Sequence, residues 1–232
     1  MTNRVIALAA TAVKTASRLE EKEVASAADI ATSDIGQLDT SDQMFRIAAR
    51  LAMSMKAGEQ IIACTGLTPE DPSARFALHA GIALARLGHG PVLVIDANVH
   101  EPRLHTIAGI PLSPGISELL NDSELGDSVI KSTSIIGLEI LPAGKATTAI
   151  KASLSSPVLG KRLDSFRRYR FVVMDVGPVL AASESLLFAS LSDVIVATLA
   201  AGERSRKELT RLKDETDLLK ARFLGVVLTE MA

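Results

Sequence analysis

Residues 61–105 read IIACTGLTPEDPSARFALHAGIALARLGHGPVLVIDANVHEPRLH. Four apolar residues, IIAC (61–64), run into a turn-rich loop in which Gly66, Pro69 and Pro72 break any regular structure. The periodicity that follows predicts an amphipathic helix over 74–87, stopped at Gly88. A second apolar run, VLVI (92–95), then ends on Asp96. Strand, loop, helix and strand in this order form a βαβ unit, because parallel neighbours need a crossover long enough to hold a helix.

The rest of the chain repeats the pattern. Further apolar runs stand at LEIL (138–141), FVVM (171–174), VIVATL (194–199) and FLGVVL (223–228). Most are continuous rather than alternating, as expected of strands buried on both faces of a parallel sheet. Helical segments separate them at 116–121, 156–168, 183–191 and 203–221. The reading is an α/β fold, a doubly wound, mainly parallel sheet flanked by helices. Ligands in such sheets gather at the carboxyl ends of the strands. Here those ends are the loop after Thr65, Asp96, Asp175, the stretch after Leu199, and Thr229, and all five should meet in one crevice.

Length and composition narrow the rest. A chain of 232 residues, 47% hydrophobic and 22% charged, fits one well-buried domain better than two. Residues 42–232 are assigned to that domain, with a helix starting at Ser41 or Asp42. Residues 1–41 are read as an extension, a short Ala-rich helix followed by a flexible linker over 20–42. A net charge of −2, no Trp and one Tyr leave nucleic acid without a basic footprint or stacking platforms. The single cysteine, Cys64, supports neither a disulfide framework nor a thiolate metal site. His79, His89, His100 and His105 lack zinc-ligand spacing, and no Gly-x-Ser-x-Gly elbow is present. No run approaches the ~18 apolar residues of a membrane span.

Four stretches carry a resemblance. They are QMFR (43–46), VLVIDANVHEPRLHTIAGIPLSPGISELL (92–120), GLEILPAG (137–144) and YRFVVMDVGPVL (169–180). In this order, from about Gln43 onward, they resemble the ATPase domain of the bacterial tyrosine kinases of capsule and exopolysaccharide synthesis. Those are P-loop ATPases related to the Min and Par proteins. The resemblance implies a P-loop NTPase-like fold, with a nucleotide loop after the first strand, a second motif at Asp96 and a Walker B segment at Asp175.

The departures from that family fall where ATP chemistry belongs. The family's loop ends Pro-Gly-Glu-Gly-Lys-Ser-Thr; here Thr68, Pro69, Glu70, Asp71, Pro72, Ser73, Ala74 and Arg75 occupy the interval. Glu70 and Pro72 replace glycines, Ser73 replaces the lysine and Ala74 the magnesium-binding hydroxyl. A phosphate-binding loop wraps backbone N–H groups around oxygens, which proline cannot do at all. Losing the lysine and two or three donors costs on the order of 5 kcal/mol, over a thousandfold in affinity. Arg75 lies too far along the helix to point where the lysine would. Asp96-x-Asn98-x-His100 keeps one carboxylate of the family's Asp-x-Asp-x-Arg, and Asp175-Val-Gly-Pro keeps the Walker B carboxylate but one proline fewer.

Asp96 and Asp175 are read first as carboxylates capping loop N–H groups, and second as holders of a hydrated magnesium ion. Tyr169, before the 171–174 strand, is read as a packing residue rather than a phosphate acceptor. Of the family's ring-assembly helix pattern only Arg46 remains, with Gln43 and Ala49 at the other two places and Arg50 as a partial substitute. Thr229 stands where the family has an asparagine near the adenine. No catalytic residue, metal or cofactor is therefore expected. The resemblance implies a cytoplasmic accessory role in polysaccharide synthesis and export. Its partner would be a membrane-embedded polysaccharide co-polymerase or chain-length protein through which the inner membrane is reached, with a homo-oligomer left open. The alternative is an active ATPase or tyrosine kinase with an unorthodox loop, using ATP and magnesium.

Overall fold

A computed structural model describes residues 41–145, 157–200 and 206–229. Residues 1–40, which hold nearly all of the expected extension, lie outside them, as do 203–205 at the start of the last expected helix.

Seven strands form one sheet: β1 (Ile61–Thr65), β2 (Val92–Asp96), β3 (Lys131–Ser132), β4 (Leu138–Leu141), β5 (Phe171–Asp175), β6 (Val194–Ala200) and β7 (Arg222–Thr229). Their order is β3-β4-β2-β5-β1-β6-β7. All neighbours are parallel except the short β3, which pairs antiparallel with β4. The helices are α1 (Asp42–Ser54), α2 (Ser73–Arg86), α3 (Leu104–Ala108), α4 (Ile116–Asn121), α5 (Pro157–Ser165), α6 (Ser183–Ser190) and α7 (Arg206–Asp217). The doubly wound sheet expected from the strand runs is thus present.

The continuous apolar runs arise because the sheet has a core on each face. Along β1, Ile61 and Ala63 enter the core under α4, α5, α6 and α7, whereas Ile62 and Cys64 enter the core under α1, α2 and α3. Every residue of β1, β2 and β5 is buried, so period-two alternation has no polar side to mark it.

Several element boundaries differ from the sequence reading. Ser41 is the cap of α1, its hydroxyl accepting from the Met44 N–H at 3.3 Å. The segment expected as a helix over 156–168 is α5 followed by a 3-10 turn, Phe166–Arg168. Helix α7 stops at Asp217, short of the expected 221. Both β3 and α3 were absent from that reading: two residues are too few for a periodic signal, and one turn and a half is barely more.

Candidate functional site

The chain crosses from β1 to β2 and returns through β5, which lies between them, so the carboxyl ends of these strands border a crevice. The five expected points do meet there. Asp96 and Asp175 are register partners on β2 and β5. The Thr65 hydroxyl donates to the Gly177 carbonyl at 2.8 Å and accepts from the Val179 N–H, joining the β1 and β5 exits. The Ala200 N–H reaches Asp71 at 2.9 Å, and the Thr229 hydroxyl reaches the Leu199 carbonyl at 3.2 Å.

The loop after β1 is closed by one of its own carboxylates. Asp71, 3% exposed, turns inward, and its Oδ2 accepts from the N–H groups of Leu67 and Thr68, both at 2.9 Å. Its Oδ1 takes the Ala200 N–H. Asp71 has local donors to satisfy, and burial selects the conformer that satisfies them. Gly66 makes room, since a Cβ there would stand 2.6 Å from the Asp71 Cβ.

From Leu67 to Ser73 most backbone donors are committed within the fold or missing. Leu67 and Thr68 are committed to the Asp71 side chain. The Asp71 N–H goes to the Thr68 carbonyl, and the Ser73 N–H to the Asp71 carbonyl. Pro69 and Pro72 have no N–H. The exposed Glu70 carboxylate is held below its ordinary pKa by the Thr68 hydroxyl first and by its own N–H second. At the start of α2, Ser73 and Ala74 are buried at 6% and 5%, while Arg75 is exposed and acts on His79 one turn further along.

Behind the loop stands the buried pair. Asp96 Oδ2 accepts from the N–H groups of Arg103 and Leu104, at 3.1 and 3.0 Å, which fixes the start of α3. Asp175 Oδ1 accepts from Gly177 N–H at 3.3 Å. Each carboxylate is therefore a cap on one oxygen, as expected, and bare on the other: Asp96 Oδ1 and Asp175 Oδ2 are buried without a partner. Burial foremost, then the charge of Asp175, pushes the Asp96 pKa well above its ordinary value. Burial also raises Asp175, to about 6, against the Ser73 side chain, the Gly177 N–H and the charge of Arg103. Two adjacent strand-end carboxylates without a cation do not both ionise readily.

Gly177, where the family has proline, adopts φ +66° with the Asn98 side chain packed against it. Proline is confined near −65°, so this exit from β5 follows a path that the family's residue would forbid.

Sequence reasoning missed three participants. Arg103 is close enough for its charge to act on both Asp175 and Glu70. His100 Nε2 lies 3.1 Å from Glu184 Oε2, tying the β2 exit to α6. Glu184 is held down to about 2, with His100 and local donors outweighing burial. Only its place at the start of α6 hinted at this role. Arg46 is remote from the carboxylates, exposed on α1 beside β7. Tyr169 is 4% exposed, bonded through its hydroxyl to Glu139 at 2.5 Å, and pushed up to about 12 by burial and that carboxylate.

The two bare oxygens have the chemistry to hold a hydrated magnesium ion, but a loop with no lysine and most of its N–H groups committed fits a triphosphate poorly. Among the described residues no group of three or more His, Cys, Asp or Glu is placed to bind a metal. No described helix is long and apolar enough to cross a membrane.

No protein-family profile matches the chain. Its homologues are bacterial tyrosine-protein kinases. It is 28% identical over 168 residues to the tyrosine-protein kinase ptk of Acinetobacter johnsonii, covering 71% of this chain but 23% of that one. It is 22% identical over 207 residues to the tyrosine-protein kinase CpsD of Streptococcus agalactiae, covering 88% and 89% of the two chains. In fold it is similar to the chimerical protein CapA2B2, with a TM-score of 0.77 at 23% identity over 86% of this chain and 90% of that one. The fold extends to cobyrinic acid a,c-diamide synthase from Mycobacterium smegmatis, solved with an ATP analog and magnesium, at TM-score 0.61 and 17% identity over 73% and 74% of the two chains.

Proposed function

We propose that this homologue of the bacterial tyrosine-protein kinases is a catalytically inactive relative, acting as an accessory or regulatory partner in exopolysaccharide or capsule synthesis and export. The observation that carries the reading is the donor count of the loop after β1: from Leu67 to Ser73 every backbone N–H other than that of the exposed Glu70 is spent internally or missing. Phosphoryl transfer in P-loop enzymes rests on positioning and on neutralising phosphate charge. A loop with most of its donors committed, no lysine and no magnesium-binding hydroxyl supplies little of either. Of the residues that remain, Asp96 and Asp175 do not both ionise readily, and neither offers a phosphate oxygen a positive charge.

What such a domain retains is its surface, and the resemblance implies the partner: a membrane-embedded polysaccharide co-polymerase whose cytoplasmic segments dock on it. Nucleotide titration of the full chain, followed by calorimetry and by release of phosphate, tests the inactive reading. We expect no saturable heat at millimolar ATP with magnesium and no turnover above the buffer. Micromolar binding with magnesium-dependent hydrolysis would overturn it. Co-purification with the co-polymerase of the same organism, when the two are co-expressed, tests the partner.

One observation favours a second reading, an active ATPase or tyrosine kinase with an unorthodox loop. Asp96 Oδ1 and Asp175 Oδ2 are bare and buried at the place where a magnesium ion would be held. That reading requires ATP with magnesium to raise the melting temperature and Asp175→Ala to abolish the rise.

A further inference from the structure

At the pole opposite the crevice the chain enters its parallel strands. Every exposed large apolar side chain among the described residues lies at that end: Met53 in the last turn of α1 ahead of β1, Leu87 ahead of β2, Ile136 ahead of β4, Leu191 ahead of β6 and Leu218 ahead of β7. Ile136, Met53 and Leu218 are 95%, 85% and 81% exposed. A lone exposed aliphatic residue is ordinary on any surface, but a set gathered at one end marks a contact face.

Hydrogen bonds join these connections into one continuous face. The Val92 N–H donates to the Gly137 carbonyl and the Arg170 N–H to the Pro91 carbonyl, at 2.8 and 2.7 Å. Arg167 reaches the Gly58 carbonyl and Asp193, and Arg222 reaches the Ser54 carbonyl and Glu59. From β4 to β7, at ~4.8 Å between neighbouring strands, the face is about 24 Å long.

Its charge is positive. The connections into the strands carry Lys56, Arg167, Arg168, Arg170 and Lys220, against Glu59 and Asp193 alone. Both carboxylates are already paired, with Arg222 and Arg167. Lys56, Arg170 and Lys220 are exposed and make no ion pair among the described residues. Separate aliphatic tips interspersed with cations suit a fluid anionic surface. A protein partner needs a rigid pocket for each tip, whereas a bilayer admits each one at its headgroup boundary and its phosphates take the cations.

We propose that this pole rests on an anionic lipid bilayer, with Ile136 and Leu218 inserted toward the two ends of the row and Lys56, Arg170 and Lys220 on the headgroup phosphates. The crevice then faces away from the bilayer. This contact depends neither on the co-polymerase nor on the inactive reading.

Flotation of the full chain with vesicles of phosphatidylglycerol and phosphatidylcholine tests it. We expect binding that rises with phosphatidylglycerol content, falls with salt and is absent from pure phosphatidylcholine. Ile136→Asp with Leu218→Asp should lower the partition coefficient at least about tenfold at an unchanged melting temperature. Lys56→Glu with Lys220→Glu should lower it by about fivefold or more for each cation. The same charge change on α7, Lys207→Glu with Arg211→Glu, should alter it by no more than about twofold, because salt screens charges held away from the surface. The chain has no Trp, so Ile136→Trp supplies a single indole, whose emission should shift to the blue with the vesicles and be quenched by brominated acyl chains. No binding by the parent, binding indifferent to the aliphatic pair, equal losses in the two charge pairs, or an indole that brominated lipid leaves unquenched overturns the proposal. Tighter binding to duplex DNA than to the vesicles, undiminished by Ile136→Asp with Leu218→Asp, also overturns it and assigns the cations to nucleic acid.

Discussion

Asp175 and Asp96 are the residues whose chemistry departs furthest from that of exposed aspartates. Their carboxylates are neighbours at the ends of β2 and β5, each bonded through one oxygen and bare at the other. Because burial raises the Asp175 pKa from 3.8 to about 6, the folded state holds a proton that the unfolded chain has released across that range. Stability contributed by this group is therefore full below the unfolded value and lost as pH climbs toward 6, at about 1.4 kcal/mol for each pH unit crossed. Asp175→Asn removes the titration while keeping most of the volume. We expect the variant to gain on its parent between pH 4 and 7, by roughly 2 kcal/mol at the upper end. Subtracting the two chemical-denaturation curves cancels the histidines and the carboxylates remote from Asp175, and leaves the titration of the Asp96–Asp175 pair. A difference that is flat with pH would show the pair to be solvated.

The loops leaving β1 and β5 act as elements rather than as collections of residues. Thr65 ties them together, and Gly177 sets the path of the second. With φ at +66° and the Asn98 side chain 2.8 Å from where a Cβ would stand, Gly177→Ala should cost about 2 kcal/mol. Gly177→Pro, which restores the family's residue, should cost more, and melting of the two variants against the parent reads the order. Glu118 shows how much of the loop geometry the sequence hides. Its carboxylate accepts from Gly115 and Lys145 N–H groups and from the Ser113 hydroxyl, at 2.8, 3.0 and 2.7 Å. It therefore joins the start of α4 to the exit of β4. The sequence reading named neither role, and the contact to Lys145 spans 27 residues.

For the molecule as a whole, burial decreases from the sheet centre outward. β1, β2 and β5 are buried along their full length, β7 is mostly half-buried and β3 has only two residues. Amides of the central strands should exchange with solvent only through global unfolding, and those of β7 and β3 through cheaper local opening. Hydrogen exchange followed by mass spectrometry should find peptides from 61–65 and 171–175 the slowest and those from 131–132 and 222–229 markedly faster. Equal rates across the sheet would contradict this layering. α7 fits the same picture, with Leu212 and Thr216 buried and most of its charges in solvent.

Residue order was enough to establish the doubly wound sheet, the strands at 61, 92, 138, 171, 194 and 223, and the crevice at their ends. Continuous apolar runs between amphipathic helices leave few other ways to bury that much surface. It also located the altered loop, since proline, serine and alanine at the phosphate-binding positions are plain in one dimension. That Asp71 turns inward to consume its own loop's donors emerged only from the folded chain. Folding likewise placed Asp96 against Asp175, its register partner on a distant strand, and let Arg103 rather than Arg75 act on Asp175. These outcomes depend on which backbone donors and which charges lie within a few ångströms in space. That is set by sheet register and loop packing, which no local stretch of sequence encodes.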